Sequence, residues 1–257
     1  MEKDLFKGKP IFYKGDISLS MLKTLYNQIN ENSKTKGGIN NYGFRVKLNN
    51  KKIFVKVTGK PSVFSWNEPL EKEFEIIEKL KRLGVYVPST IGYVKIEHRN
   101  MLYGIAFYEY IDGYNLTNYL LNNSKNIRRF AENTLNELII QISKIHALGI
   151  IHGDLHCGNI IVKDNKPFLI DFEMAEEFSQ KNNLFWIKAY LLDIWKFILS
   201  IDRIVLLNHL SEELKKKLKN NIDEILHIYL ISSGINKEIW ERINFKQFQL
   251  LRALSPL

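Results

Sequence analysis

A single cysteine, Cys157, stands in the 257-residue chain. One cysteine cannot close an internal bridge, which excludes a disulfide-stapled scaffold and makes the cytoplasm the expected location. Apolar runs long enough to cross a bilayer are also missing. The best candidate, residues 191–207, is interrupted by Asp193, Lys196, Asp202 and Arg203, so no transmembrane segment is expected. The start, Met1-Glu2-Lys3-Asp4, has no apolar core behind a basic segment, and no secretory signal is expected. Acidic residues are the minority: 28 Asp and Glu against 37 Lys and Arg leave a formal net charge of +9. The excess favours acidic partners, whether nucleotides, phosphorylated glycans, nucleic acid or anionic lipid. Nucleic acid has only weak support. Its candidate face, Lys215, Lys216, Lys217 and Lys219, reads more simply as the solvated side of a helix. With 45% hydrophobic and 25% charged residues, the composition is that of a globular domain and excludes a largely disordered chain.

The pattern changes part-way along. Up to about residue 107 several short β-prone runs occur, and after about 113 the spacing is mainly helical. Residues 9–13 predict a strand and 19–29 a helix, with a polar loop over 30–38. Two β-prone runs, 43–48 and 52–57, flank Asn49-Asn50-Lys51 and predict a hairpin. Helical spacing follows over 69–83, where Leu70, Phe74, Ile77 and Leu80 share a face and Gly84 ends the element. Strands are predicted over 91–96 and 102–110. Asp112-Gly113 breaks the pattern. A long helix over 128–148 leads to a polar loop, 152–159, and a hairpin with strands 160–162 and 168–170. Helical patterns fill roughly 185–201, 211–231 and 237–253.

The chemistry concentrates in His152-Gly153-Asp154-Leu155-His156-Cys157-Gly158-Asn159 and, one hairpin later, Ile170-Asp171-Phe172-Glu173. An Asp, an Asn five residues on and a second Asp twelve further suit phosphoryl transfer. One carboxylate orients the attacking hydroxyl and takes its proton. The second carboxylate and the amide oxygen hold Mg2+ against the phosphates. His152, His156 and Cys157 lack a second Cys/His cluster to complete a tetrahedral zinc site. His152 reads as a structural histidine under the loop.

These motifs resemble the catalytic loop and metal-binding segment of the protein-kinase-like superfamily. Ile53-Phe54-Val55-Lys56 is similar to the strand that carries the ATP-binding lysine, and Glu73 lies where the family places its glutamate partner. Residues 73–88 look like the corresponding helix of the RIO kinases and of the small kinase of the KEOPS tRNA-modification complex. Lipopolysaccharide-core kinases share that look. Tyr108-Glu109-Tyr110-Ile111-Asp112-Gly113 resembles the hinge, and Asp193 resembles the helix aspartate that braces the catalytic loop. The resemblance spans about residues 37–200.

It implies an α+β, two-lobed protein-kinase-like fold in one domain over 1–257. The N-lobe (to about 108) would be an antiparallel sheet with one main helix. A hinge (about 109–113) would lead to a mainly helical C-lobe with a reduced activation segment. ATP and Mg2+ are the implied cofactors. Lys56 would neutralise the α/β-phosphates, held by Glu73. Asp154 would be the base, and Asn159 and Asp171 would bind Mg2+. The backbone of Glu109 and Ile111 would meet adenine, with Val46 and Ile161 on its faces and Gly37, Gly38 and Gly43 near the phosphates.

Several positions depart from the ordinary kinase pattern. Residues 36–46 are not a clean G-x-G-x-x-G. Phe54 stands where many kinases have a small residue, Glu173 replaces the glycine after Asp-Phe, and His156 replaces the catalytic-loop lysine. Only 22 positions separate Asp171 from Asp193 (193 − 171), with no Ala-Pro-Glu between them. Three readings stay open: an atypical serine/threonine protein kinase, a small-molecule or glycan kinase of lipopolysaccharide-core, aminoglycoside or choline kinase type, and a pseudokinase module. The acceptor is accordingly a protein or a small hydroxyl-bearing molecule.

Overall fold

The computed structural model describes residues 2–6, 9–15, 20, 41–48, 50–61, 69–98, 101–122, 129–130, 132–178, 184–207, 229 and 233. The helices expected over 19–29, 211–231 and 237–253 and the loop over 30–38 lie outside these residues, apart from Ser20, Tyr229 and Ser233. Two compact units divide the chain. The first holds Met1–Leu83 and Pro88–Ile111, the second Gly84–Val87 and Asp112–Leu257.

The first unit is built on a six-stranded antiparallel sheet of β1 (Glu2–Phe6), β2 (Lys9–Gly15), β3 (Asn41–Leu48), β4 (Lys51–Pro61), β5 (Thr90–His98) and β6 (Met101–Glu109), in the order β1-β2-β5-β6-β4-β3. The β3–β4 hairpin forms as its β-prone runs predict, and Asn50 takes the left-handed conformation (φ 63°) at the tip. Residues directly opposite in an antiparallel pair share a face. The row Tyr93–Ala106–Lys56–Gly43 therefore lies on one face, and the row Phe107–Val55–Phe44 on the other.

Helix α1 (Pro69–Arg82) covers the first of these faces. Leu70, Phe74, Ile77 and Leu80 are buried along one stripe, each contributing about 1.5–3 kcal/mol. The Phe74 ring lies 6.3 Å from that of Tyr93, which fixes which side of the sheet the helix occupies. An ion pair from Lys95 to Glu71 ties the same two elements.

The second unit holds β7 (Tyr114–Asn115), α2 (Leu116–Asn122), α3 (Leu135–Ala147), β8 (Ile150–Ile151), β9 (Ile160–Lys163), β10 (Lys166–Leu169), β11 (Glu176–Glu177) and α4 (Leu184–Leu207). Strands β10-β9-β7 make one small sheet and β11-β8 another. Asp164 and Asn165, at φ 51° and 60°, close the β9–β10 hairpin in the primed-turn geometry that matches strand twist. Residues 129–130 and 132–133 are helical, as the helix expected from 128 requires, but a turn at Thr134 separates them from α3. Thr134 forms a buried turn, although Thr134 N–H to Phe130 O and Leu138 N–H to Thr134 O keep helical bonding through it. Helix α2 has no counterpart among the predicted elements. It is a short helix headed by Asn115, whose Oδ1 accepts the Thr117 N–H. Segment Gly84–Val87 is pinned to this unit by bonds from Tyr86 N–H to Gln141 Oε1 and from Leu169 N–H to Tyr86 O.

Candidate active site

In the first unit the functional pair is Lys56 on β4 and Glu73 on α1. Strand alternation turns Lys56 to the face that α1 covers, and the helix stripe carries Glu73 inward beside Phe74. Lys56 Nζ donates to Glu73 Oε2 at 2.8 Å, with the side chains 13% and 2% exposed. Burial at that level makes the pair a specific, charge-assisted contact rather than a surface ion pair.

Other expected nucleotide contacts in this unit fare differently. Val46 pairs with Ile53 and is buried on the sheet face opposite Lys56. The residue directly across from Lys56 is Gly43. Val46 lies three positions along β3 from Gly43, and side chains alternate with period two, so the two positions face opposite ways. Val46 is therefore a core residue on the far face, not a neighbour of the lysine. The Phe54 ring lies against Gly43, where a Cβ would sit 2.5 Å from its Cζ, so the bulky residue fills the space beside the glycine. Glu109 N–H donates to Ser89 O and Tyr110 N–H to Lys52 O, while Ile111 is half-buried at the end of the unit. Gly37 and Gly38 lie outside the described residues.

In the second unit the loop after β8 carries the expected groups close together. Asn159 ends a single 3-10 turn (Cys157–Asn159). Its Nδ2 donates to Asp154 O at 2.9 Å and approaches Asp154 Oδ2 at 3.4 Å, which leaves the amide oxygen as the acceptor of that side chain. Ile170 N–H donates to Asn159 O at 3.0 Å and so brings Asp171 next to Asn159. Asp171 itself sits at φ 66°, in the left-handed region that a non-glycine residue rarely adopts. A carboxylate and an amide oxygen held this way form a hard-oxygen donor set, the chemistry that Mg2+ takes. Among the described residues, no three His, Cys, Asp or Glu gather as metal ligands. Ile161 lies half-buried on β9, its Cγ2 against Gly113.

His152 is fully buried beneath this loop, its ring centred 4.5 Å from that of Phe172. Nε2–H donates to Ile170 O at 3.0 Å, and Nδ1 faces the Asp154 N–H at 3.4 Å. Both nitrogens are thereby used by the neutral ring. Burial lowers its pKa from the usual 6.5, outweighing the opposing pull of Asp193.

Helix α4 grips the loop from one face. Asp193 accepts His152 N–H at 2.6 Å on Oδ2 and Gly153 N–H at 3.0 Å on Oδ1. Lys196, one turn on, donates to Gly153 O. Ser200, a further turn on, accepts Cys157 N–H at 3.0 Å and donates to Phe197 O at 2.7 Å, with Cys157 Sγ at 3.1 Å. Asp193 is braced from behind: His146 Nε2–H faces its Oδ2 at 3.2 Å, and Tyr229 O–H donates to His146 Nδ1 at 2.5 Å. Burial works against the Asp193 charge. The hydrogen bond and charge of His146 and the His152 amide outweigh it and lower the pKa from 3.8. The Cys157 thiol is pushed up to about 12 by burial and stays protonated.

Comparison with known proteins decides the lineage of this arrangement. The family model for the RIO domain matches residues 45–199, more than half of the chain. The chain belongs to the RIO family. The matched stretch carries Lys56, Glu73, Asp154, Asn159, Asp171 and Asp193, and the fold of this RIO-family chain is the two-lobed, α+β, protein-kinase-like one. It is 33% identical over 114 residues to the probable serine/threonine-protein kinase fnkB of Dictyostelium discoideum, 44% of this chain and 21% of that protein. It is 35% identical over 105 residues to the KEOPS complex subunit Bud32 of Pyrococcus abyssi, 41% of this chain and 44% of that protein. It is 32% identical over 109 residues to serine/threonine-protein kinase D of Synechocystis, 42% of this chain and 20% of that protein. In each case the match spans less than half of the relative's length.

Three residues that grip or brace the RIO-domain loop escape sequence reasoning. Lys196 and Ser200 are legible only once Asp193 is taken as a reference, since positions three and seven along a helix share its face. His146 gives no signal, because it occupies a buried stripe position of an amphipathic helix.

Proposed function

We propose that the chain is an ATP-dependent phosphotransferase, an atypical serine/threonine protein kinase, acting as one domain of two lobes. The observation that carries this reading is the Asp154–Asn159–Asp171 arrangement. The Asn159 amide is held by the Asp154 carbonyl, and the Ile170 N–H to Asn159 O bond joins the loop to the hairpin within the stretch that the RIO model matches. The buried Lys56–Glu73 pair supports it independently.

Lys56 would meet the α/β-phosphates of ATP with Glu73 fixing its ammonium, and Asn159 and Asp171 would hold Mg2+. The metal, when bound, supplies charge neutralisation on the phosphates. Gly43, beside Lys56 in the β3–β4 register, and Gly37 and Gly38 before it would border the phosphates. The backbone of Glu109 and Ile111 and the side chain of Ile161 would border adenine. Asp154 orients the acceptor hydroxyl. As the new P–O bond forms and the bond to the departing ADP oxygen breaks, the hydroxyl proton passes to the Asp154 carboxylate. The kinase names among the relatives support the protein acceptor. The KEOPS names support a place in a protein complex, and the relatives named for tRNA threonylcarbamoyladenosine biosynthesis support tRNA-linked partners.

A specific observation favours the second reading, a small-molecule or glycan kinase. His156 and Glu173 stand in His-Gly-Asp-Leu-His and Ile-Asp-Phe-Glu, sequences that resemble that branch. Incubation with labelled ATP and Mg2+ separates the two. Label on the protein itself or on a generic basic protein is expected for the first reading. ATP consumption stimulated only by a sugar or amino alcohol would replace it with the second. Asp154→Ala should lower either activity by about 10²–10⁴ while leaving the fold intact, since the side chain is half-exposed. Unchanged turnover in that variant would overturn the assignment of the base.

A further inference from the structure

The His156 ring is a partly exposed loop side chain for which the scheme above has no task. Its Nδ1 accepts the Gly158 N–H at 2.9 Å. An accepting ring nitrogen carries no proton, so the neutral ring bears its hydrogen on Nε2. That Nε2 lies 3.5 Å from Asp154 Oδ2, with the two side chains 42% and 48% exposed. Asn159 Nδ2 faces the same oxygen at 3.4 Å. Two N–H groups thus converge on Oδ2, and no hydrogen bond among the described residues reaches Oδ1.

The pose of the ring is built into the backbone. A Cβ at Gly158 would lie 2.6 Å from Cε1 and 2.8 Å from Nδ1 of His156, so only glycine leaves room for the ring there. The peptide cannot swing aside easily, because Asn115 Nδ2 holds Gly158 O at 2.5 Å. The backbone at 158 lies outside the left-handed region, so alanine there would displace the ring without straining the chain.

We propose that His156 is a positioning residue. Locked as the Nε2–H tautomer by Gly158, it fixes the Asp154 carboxylate with Oδ2 engaged and Oδ1 turned to receive the acceptor's proton. The role rests on the reading of Asp154 as the base. A mere cap of the 3-10 turn would need only Nδ1, and the direction of Nε2 would then have no consequence.

Three variants of the full chain separate these roles. In His156→Asn the amide oxygen can still accept the Gly158 N–H, but nothing reaches Asp154. In His156→Gln an N–H donor sits near the place of Nε2. Gly158→Ala moves the ring without altering it. With radiolabelled Mg·ATP as the probe, His156→Asn and Gly158→Ala are expected to lower kcat about 10- to 100-fold. The KM for ATP and the unfolding midpoint should stay close to wild type, and His156→Gln should recover most of kcat. Long-range nitrogen–proton NMR of the wild-type imidazole should show the Nε2–H pattern. An active wild type with equal kcat in His156→Asn, or an Nδ1–H pattern, overturns this role alone. A wild type that neither turns over ATP nor is stabilised by it overturns the phosphotransferase reading and this role together.

Discussion

His152 shows how a single buried side chain links the site to pH. Its ring is enclosed under the loop with both nitrogens committed, and burial depresses its pKa below 6.5. The unfolded chain then takes up the proton before the folded one does. Stability is therefore full above about pH 6.5 and is lost as the pH falls through the window below it. Asp193, also depressed, adds a second loss below pH 3.8. Thermal unfolding followed across pH should show the first decline beginning near 6.5. His152→Gln should start from a lower midpoint but decline less steeply over that range. At this scale the sequence was informative wherever a spacing rule tied a residue to a partner. Asp154 with Asn159 was legible that way, and Lys56 with Glu73 through the resemblance to protein kinases. The sheet face of Val46 was not legible because a strand carries no mark of its register. His146 was invisible because a hydrogen-bonded core histidine and a merely packed one look alike in a helical stripe.

Helix α4 is where elements meet chemistry. One face, spaced by Asp193, Lys196 and Ser200, takes the N–H groups of His152, Gly153 and Cys157 and the carbonyl of Gly153. Asp193→Asn places an amide where an acceptor for two backbone N–H groups is needed. It should cost about 2–4 kcal/mol and lower turnover without direct contact to ATP. Ser200→Ala removes one bond to Cys157 and should cost about 1 kcal/mol. Chemical denaturation of the two variants, with turnover measured in parallel, checks the order. The ends of elements were less legible than their presence. The break at Thr134 in the helix expected from 128 was not legible, because apolar spacing alone cannot report a turn. Helix α2 was missed because its seven residues, about two turns, repeat the apolar spacing too few times to read.

At the scale of the whole molecule, the order of strands and helices was legible from the alternation of β-prone and helical stretches, but the sheet order was not. The neighbours β2–β5 and β4–β6 depend on pairings distant in sequence. Ligand linkage gives the global test. At a hundredfold excess over Kd, Mg·ATP should stabilise the chain by about 2.7 kcal/mol, or roughly 5–10 °C in Tm for a chain of this size. Chelation with EDTA should remove most of that shift, and Lys56→Ala should show little of it to begin with. An ATP-dependent shift unaffected by EDTA would remove Asn159 and Asp171 from the proposed roles.

Gly153 has φ +81°, and a Cβ there would stand 2.2 Å from Met174 O, so two backbones touch at a point where no side chain fits. Met174 meets that point with its carbonyl and Cβ, atoms every residue but glycine has, and the residue is otherwise 65% exposed. In a saturation library selected for turnover, codon 153 should return glycine alone. Codon 174 should drift freely, so the survivors would map this seam without any further coordinates.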